Sequence, residues 1–223
     1  MQRNVNPSAD SPAASPARLA KAERDELRRL QIANALARCV LRTGFHRASM
    51  AQVAEEAGMS VGQIYRYFPS KEAIIGFLVE QIVAARLAWI DAAPTAQALA
   101  ESLAADTPAP RPPGAPTPPP GTLDAYALAG ERALLLEIQA ESARNPAVAE
   151  LVKAADLKLH ARAVATMRSQ QPALSQAQAA LRVEIVASLA EGRLFREGIG
   201  PALDRQQLVP LLRRVVDLLF LPD

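Results

Sequence analysis

A chain of 223 residues is long enough to bury a substantial core, and a composition that is 50% hydrophobic but only 4% aromatic, rich in helix formers, predicts a helical protein of one or two domains and argues against a β architecture. The single cysteine, Cys39, excludes an intramolecular disulfide and a cysteine-based zinc site, and fits a reduced cytoplasm. The net charge of +2 is unevenly spread: residues 1–71 carry +5 and residues 72–223 carry −3, as in a polyanion-binding end joined to an acidic remainder.

Residues 1–20, rich in Pro, Ala and Ser, have no helical period and are expected to be a disordered tail in which Arg3 and Arg18 are free to touch phosphate. They lack the apolar stretch of a secretion signal, and no later run approaches the ~18 uncharged apolar residues of a membrane span, so neither export nor a membrane partner is expected. From Lys21 the pattern changes. Leu30, Ala33, Leu36, Ala37, Val40 and Leu41 recur at helical steps until Gly44, a C-cap, and Cys39 inside this helix reads as a small packed side chain.

Two short helices follow. Ser49-Met50-Ala51-Gln52 and Ser60-Val61-Gly62-Gln63 both spell the capping box, in which serine accepts from a first-turn N–H and glutamine reaches back. After Phe68-Pro69, Ser70-Lys71-Glu72 opens a long helix that runs to Pro94. Residues 106–121 are proline-dense and predict a solvated, extended loop within one helical domain; a linker between domains and a proline-rich ligand for another protein are the alternatives. Four further helices are expected at about 122–144, 147–170, 175–196 and 205–220, with breaks at Asn145-Pro146, Gln171-Pro172 and Gly198 to Pro201. The fold class is all-α: a three-helix helix-turn-helix domain at 21–76, then a helical domain at 77–223 that carries the proline-rich loop.

Gly58-Met59-Ser60-Val61-Gly62 also matches G-x-S-x-G, the nucleophile elbow of serine hydrolases. An elbow needs a strand before it, and residues 50–57 are helical by content and period. His46 and His160 have no triad context, so no enzyme is expected. The same residues make a coherent helix-turn-helix. Val53, Ala54 and Ala57 face inward, Gly58 supplies a positive φ, Met59 plugs the corner, and Ile64 and Tyr67 continue the contact.

The segment MAQVAEEAGMSVGQIYRYFPSKEAII resembles the DNA-binding signature of the TetR family of transcriptional regulators, with Ser49 and Met59 where many members carry Thr and Val. The resemblance implies that Ser60 to Tyr67 form a recognition helix in the major groove. Val61, Gly62 and Gln63 would then lie nearest base edges, Val61 against a thymine methyl and Gln63 against adenine, unless Gln63 serves only as a cap. Tyr65 and Tyr67 correspond to aromatics whose hydroxyls reach phosphate while their rings pack, and packing alone would account for one of them. Arg66 and Lys71 are the cationic phosphate candidates, Ser49 and Ser60 cap helices and can add a phosphate contact, and His46 and Arg47 are either phosphate contacts or a solvated loop.

For the second half the family implies a small-molecule effector pocket among middle helices and a homodimer through the last two. Phe77, Trp89, Tyr126, Glu137, Gln139, Glu141 and Met167 are the pocket candidates by composition. Leu181, Ile185, Leu189, Leu208, Leu211, Leu212, Val215 and Leu219 offer more apolar surface than one intramolecular face needs, and are the candidate dimer interface. Asp156 and His160 are spaced i, i+4, but two ligands do not make a metal site, and no cofactor motif is present. The expected function is a repressor released from a palindromic double-stranded DNA operator by a small molecule. A helical adaptor acting through its proline-rich loop is the alternative.

Overall fold

The computed structural model describes residues 16–92, 94–104, 132–196, 199–201 and 203–220. Among them are nine helices: α1 (Pro16–Thr43), α2 (Met50–Ala57), α3 (Val61–Tyr67), α4 (Lys71–Asp91), α5 (Ala96–Ala104), α6 (Arg132–Ser142), α7 (Pro146–Gln170), α8 (Gln176–Arg196) and α9 (Arg205–Leu219). No strand occurs among the described residues, and the all-α expectation holds. The whole of the proline-rich loop at 106–121, and Tyr126 after it, lie outside them. Helix α1 begins five residues before the expected onset at Lys21. Pro16 is tolerated in a first turn, and Ala17, Arg18, Leu19 and Ala20 after it are good helix formers, so the tail reading fails for residues 16–20.

The turn between α2 and α3 follows from its caps. Ser49 and Ser60 both close complete capping boxes with Gln52 and Gln63. At the end of α2, Gly58 has φ 65, its N–H bonds Glu55 O, and Met59 N–H bonds Ala54 O at 2.9 Å, the paired bonds of a Schellman ending. From α1, Gln31 Nε2 donates to Ala57 O at 2.8 Å and satisfies another end-of-helix carbonyl. A Cβ at Gly58 would meet nothing within 4 Å, so the cost of Gly58→Ala is confined to the left-handed backbone. We expect it to destabilise the domain by about 1–2 kcal/mol in urea denaturation; a neutral effect would show that the turn relaxes.

The main core joins the N-terminal helices to the rest. Ile32, Leu36 and Val40 of α1, Val53 of α2, Ile64 of α3 and Ile74, Ile75 and Leu78 of α4 share one buried cluster with Leu134 and Ile138 of α6 and Val148 of α7. Leu41, expected on the inner face of α1, is 41% exposed. Helix α4 is apolar nearly all round, as a helix packed on several sides must be. By length and composition it could cross a membrane, although Glu80 and Arg86 interrupt its apolar run; half of its most apolar stretch is buried within the fold, as in a core helix. Arg29 of α1 lies over both the Phe68 and Phe77 rings, at 5.0 and 5.1 Å from their centroids, and ties α1 to the end of α3 and the start of α4.

Two satellite cores complete the bundle. Leu99, Ala100, Leu103 and Ala104 of α5 pack on Leu212 and Val216 of α9, and Val164 and Met167 of α7 pack on Ala179 and Val183 of α8.

Candidate nucleic-acid interface and effector cavity

Helix α3 has seven residues and fully buries one of them, Ile64. Tyr67 is half-buried against the main core. The other positions, Val61, Gly62, Gln63, Tyr65 and Arg66, are exposed, and Val61 and Tyr65 are exposed apolar side chains one turn apart. Gly62 lowers helix stability, yet a Cβ there would meet nothing within 4 Å, so no internal packing requires its lack of a side chain. Ser49, His46 and Arg47 are exposed in the chain segment leading into α2. Among the described residues, the side chains of His46, Arg47 and Arg66 make no hydrogen bond or ion pair.

Two expected contacts are already engaged within the chain. Gln63 Oε1 accepts from the Ser60 N–H at 2.8 Å, so its acceptor is spent on the cap and only the Nε2 donors remain for another partner. The adenine pairing expected of Gln63 needs both ends of the amide, and therefore loss of that bond. Lys71 is half-buried: its Nζ donates to Phe45 O at 2.8 Å and Ala48 O at 3.1 Å and lies 5.8 Å from the Phe45 ring. Two carbonyls that would otherwise lack partners take this ammonium, so Lys71 braces the α1–α2 loop.

The same loop is held from the other side. Phe45 N–H donates to Glu137 Oε2 of α6 at 3.2 Å, across 92 residues of sequence. Glu137 is thus spent on the loop, and Glu141 is spent on Asn145 Nδ2 and Arg144. On the opposite face, Glu56 of α2 accepts from Arg42 and Arg38 of α1. Arg42 and then Arg38 hold its carboxyl below the usual range, so what the pair adds to stability is present above that range and fades as pH falls through the depressed value. The pair is solvent-exposed, which keeps its contribution small.

The C-terminal helices enclose the apolar hollows. One cavity of about 250 Å³ lies between α4, α5, α7 and α8, lined by Arg86, Trp89, Leu99, Leu159, His160 and Val186 among others. A second, of about 320 Å³, opens between α4, α6, α7 and α8 and shares Arg86, Asp156, Leu159, Glu191 and Leu194 with the first. A smaller one of about 80 Å³ is bounded by Trp89, Met167 and Phe220. Of the sequence candidates, Trp89, Gln139 and Met167 therefore reach hollows. Phe77 does not: it is buried beneath Arg29, edge-on to Phe68 at 5.6 Å. A larger polar hollow of about 430 Å³ between α1 and α2, beside Cys39 and the Arg42–Glu56 pair, lacks apolar walls. Burial pushes the Cys39 thiol up, away from reactivity.

Sequence reasoning missed Arg86. Its one signal was a cation in the apolar run Ile82 to Ile90, at a position where helical phase turns it inward.

The dimer candidates divide. Leu181, Ile185, Leu211 and Val215 are exposed, at 68%, 46%, 57% and 40%. Leu212 is buried against α5, with Leu189 and Leu208 packed on the same cluster, and Leu219 is half-buried. Leu212, Leu189 and Leu208 face an internal partner, α5, which the sequence reading had not recognised as a helix. Leu218, at 67% exposed, joins the outward set.

The sequence profile described as "Bacterial regulatory proteins, tetR family" matches residues 32–76, from within α1 to the start of α4. Over its helix-turn-helix segment the chain resembles the TetR family. The HTH-type transcriptional regulator UidR of Escherichia coli (strain K12) is 31% identical to this chain over 129 residues, 56% of the chain and 57% of UidR. The match thus spans a little over half of that relative's length. The HTH-type transcriptional regulator PksA of Bacillus subtilis (strain 168) is 38% identical over 57 residues, 26% of the chain and 28% of PksA. Among solved structures, Salmonella enterica GusR superposes with a TM-score of 0.65 at 23% identity, covering 86% of this chain and 95% of that one, a likeness of fold. Ser60 caps α3, its side chain accepting from the Gln63 N–H.

Proposed function

We propose that the chain is a DNA-binding transcriptional regulator, a homodimeric repressor that releases a palindromic operator when a small molecule enters its C-terminal half. One observation carries the DNA-reading part: α3 is fixed by a single buried side chain and turns Val61, Gly62, Gln63, Tyr65 and Arg66 outward, with a glycine that no internal packing demands. An exposed two-turn helix of that kind suits the major groove, where Gly62 permits close approach and Val61 meets a thymine methyl. Arg66 and Arg47, uncommitted within the described chain, are the phosphate-contacting cations, with His46, Tyr65 and the Ser49 and Ser60 hydroxyls beside them.

The outward leucines of α8 and α9 support pairing through these helices, with α9 of each copy against the other. The apolar hollows support a small-molecule effector, and a regulator of this kind works in the cytoplasm. Fluorescence anisotropy on duplex DNA across a salt series tests the reading. Affinity should fall linearly on logarithmic axes, and Arg66→Ala should flatten the slope by about one unit while weakening all sequences alike. A slope unchanged by that substitution would remove Arg66 from the phosphate set.

A further inference from the structure

The two larger cavities meet at one side chain. Arg86 lines both, projecting from the face of α4 that otherwise presents Ile82, Val83 and Trp89. Among the described residues its guanidinium has no hydrogen bond and no carboxylate within ion-pair distance. The other charged groups facing the hollow are Asp156 and Glu191, both exposed at its rim, and His160, whose Nδ1 lies 3.9 Å from Glu184. Burial pushes the Arg86 guanidinium down from its ordinary value, offset in part by Glu191, yet an arginine keeps its proton across the physiological range. Arg86 is half-buried, and a charge partly withdrawn from water without a contact partner carries a cost that an anion entering the hollow relieves.

From this we infer that the cavity between α4, α5, α7 and α8 takes a small monoanionic carboxylate, its charged end paired with Arg86 and its apolar body along Trp89, Leu159 and Val186. The inference rests on the reading of this half as an effector-binding domain and names the class of effector. The planar guanidinium can bind a carboxylate through two parallel N–H donors. The rim carboxylates set the rest of the preference. Asp156 and Glu191 repel a second negative charge, so a phosphonate dianion is disfavoured, while a hydroxyl or amine on the ligand's outer end would find acceptors there. The volume of about 250 Å³ suits a compact molecule, with the adjoining hollow of about 320 Å³ open to a longer one.

Trp89 is the only tryptophan of the chain and lines this cavity, so its emission reports occupancy directly. The full-length protein is titrated with phenylbutyrate, its uncharged amide, phenylpropylphosphonate, and shorter and longer homologues of each set. At least one carboxylate should shift Trp89 emission saturably and bind about tenfold or more tightly than its amide. The phosphonate should bind more weakly than the carboxylate. Arg86→Met should erase the preference for the carboxylate while leaving amide binding intact, and Arg86→Lys should keep part of it; thermal unfolding checks that both variants fold.

Equal affinity for carboxylate and amide throughout, a preference that survives Arg86→Met, or no response of Trp89 to any set would overturn the inference. Displacement of bound DNA is measured alongside. A carboxylate that binds through Arg86 without releasing DNA upholds the site and sinks the release step of the proposed function. Release by amides as readily as by carboxylates does the reverse.

Discussion

Ile64→Ala should destabilise the N-terminal domain by about 2–5 kcal/mol, the range for a large buried aliphatic truncated to a methyl. Ile64 is fully buried and is the one core residue that the seven-residue α3 contributes. A helix of two turns has no stability of its own in water, since its nucleation cost is not recovered over so few hydrogen bonds. Its caps supply on the order of 1 kcal/mol each, which leaves packing at Ile64 as the main tether. The variant should therefore lose cooperative thermal unfolding at a lower temperature and lose DNA binding together with it. A loss under about 1 kcal/mol, below the usual range for such truncations, would mean that the half-buried Tyr67 and the Phe68 contact with Arg29 hold α3 by themselves.

Val61→Glu should separate the two properties. Val61 is 39% exposed at the first position of α3, where an acidic side chain interacts favourably with the free N–H groups of a helix start, so folding should be unchanged or slightly improved. On the proposed interface the same side chain would put a carboxylate beside the DNA polyanion. The expected result is a loss of duplex affinity of about 100-fold or more with an unaltered unfolding midpoint. Retained affinity would take the start of α3 out of the interface.

The helix-turn-helix was legible because its signals are local. Two serine-to-glutamine capping boxes, a glycine between them and apolar positions at helical steps each state a backbone geometry within a few residues, and the observed caps at Ser49, Gly58 and Ser60 follow them. Helices α8 and α9 were legible for the same reason, bounded by Gln171-Pro172 and the Gly198 to Pro201 break.

What could not be read depends on which distant groups come together. Lys71 looked like a free cation because nothing near it in sequence says that Phe45 and Ala48 leave carbonyls for it to satisfy. Glu137 looked like a pocket residue, and its partner lies 92 positions away. In α9, Leu208, Leu212 and Val216 form one stripe and Leu211, Val215 and Leu218 another. Their sum reads as surplus apolar surface until α5 is seen to cover the first stripe and leave the second exposed. Gln63 shows the opposite limit, where one residue type at one spacing satisfies two roles and the observed hydrogen bond to Ser60 favours the cap.

The α1–α2 loop is hydrogen-bonded to a helix of the second half. Glu137 belongs to α6, whose Leu135, Leu136 and Gln139 line the second cavity, while its own carboxylate holds Phe45 in the loop that leads into α2.

Selection of the purified protein against a random duplex library asks whether this chain reads double-stranded DNA as a two-fold pair. The account predicts enrichment of an inverted repeat whose half-sites lie about one helical turn, ~34 Å, apart or a multiple of it, since two copies of α3 must enter successive major grooves on one face of the duplex. Enrichment of no sequence, with only weak salt-sensitive binding, would contradict it and bring forward the adaptor reading built on the proline-rich segment.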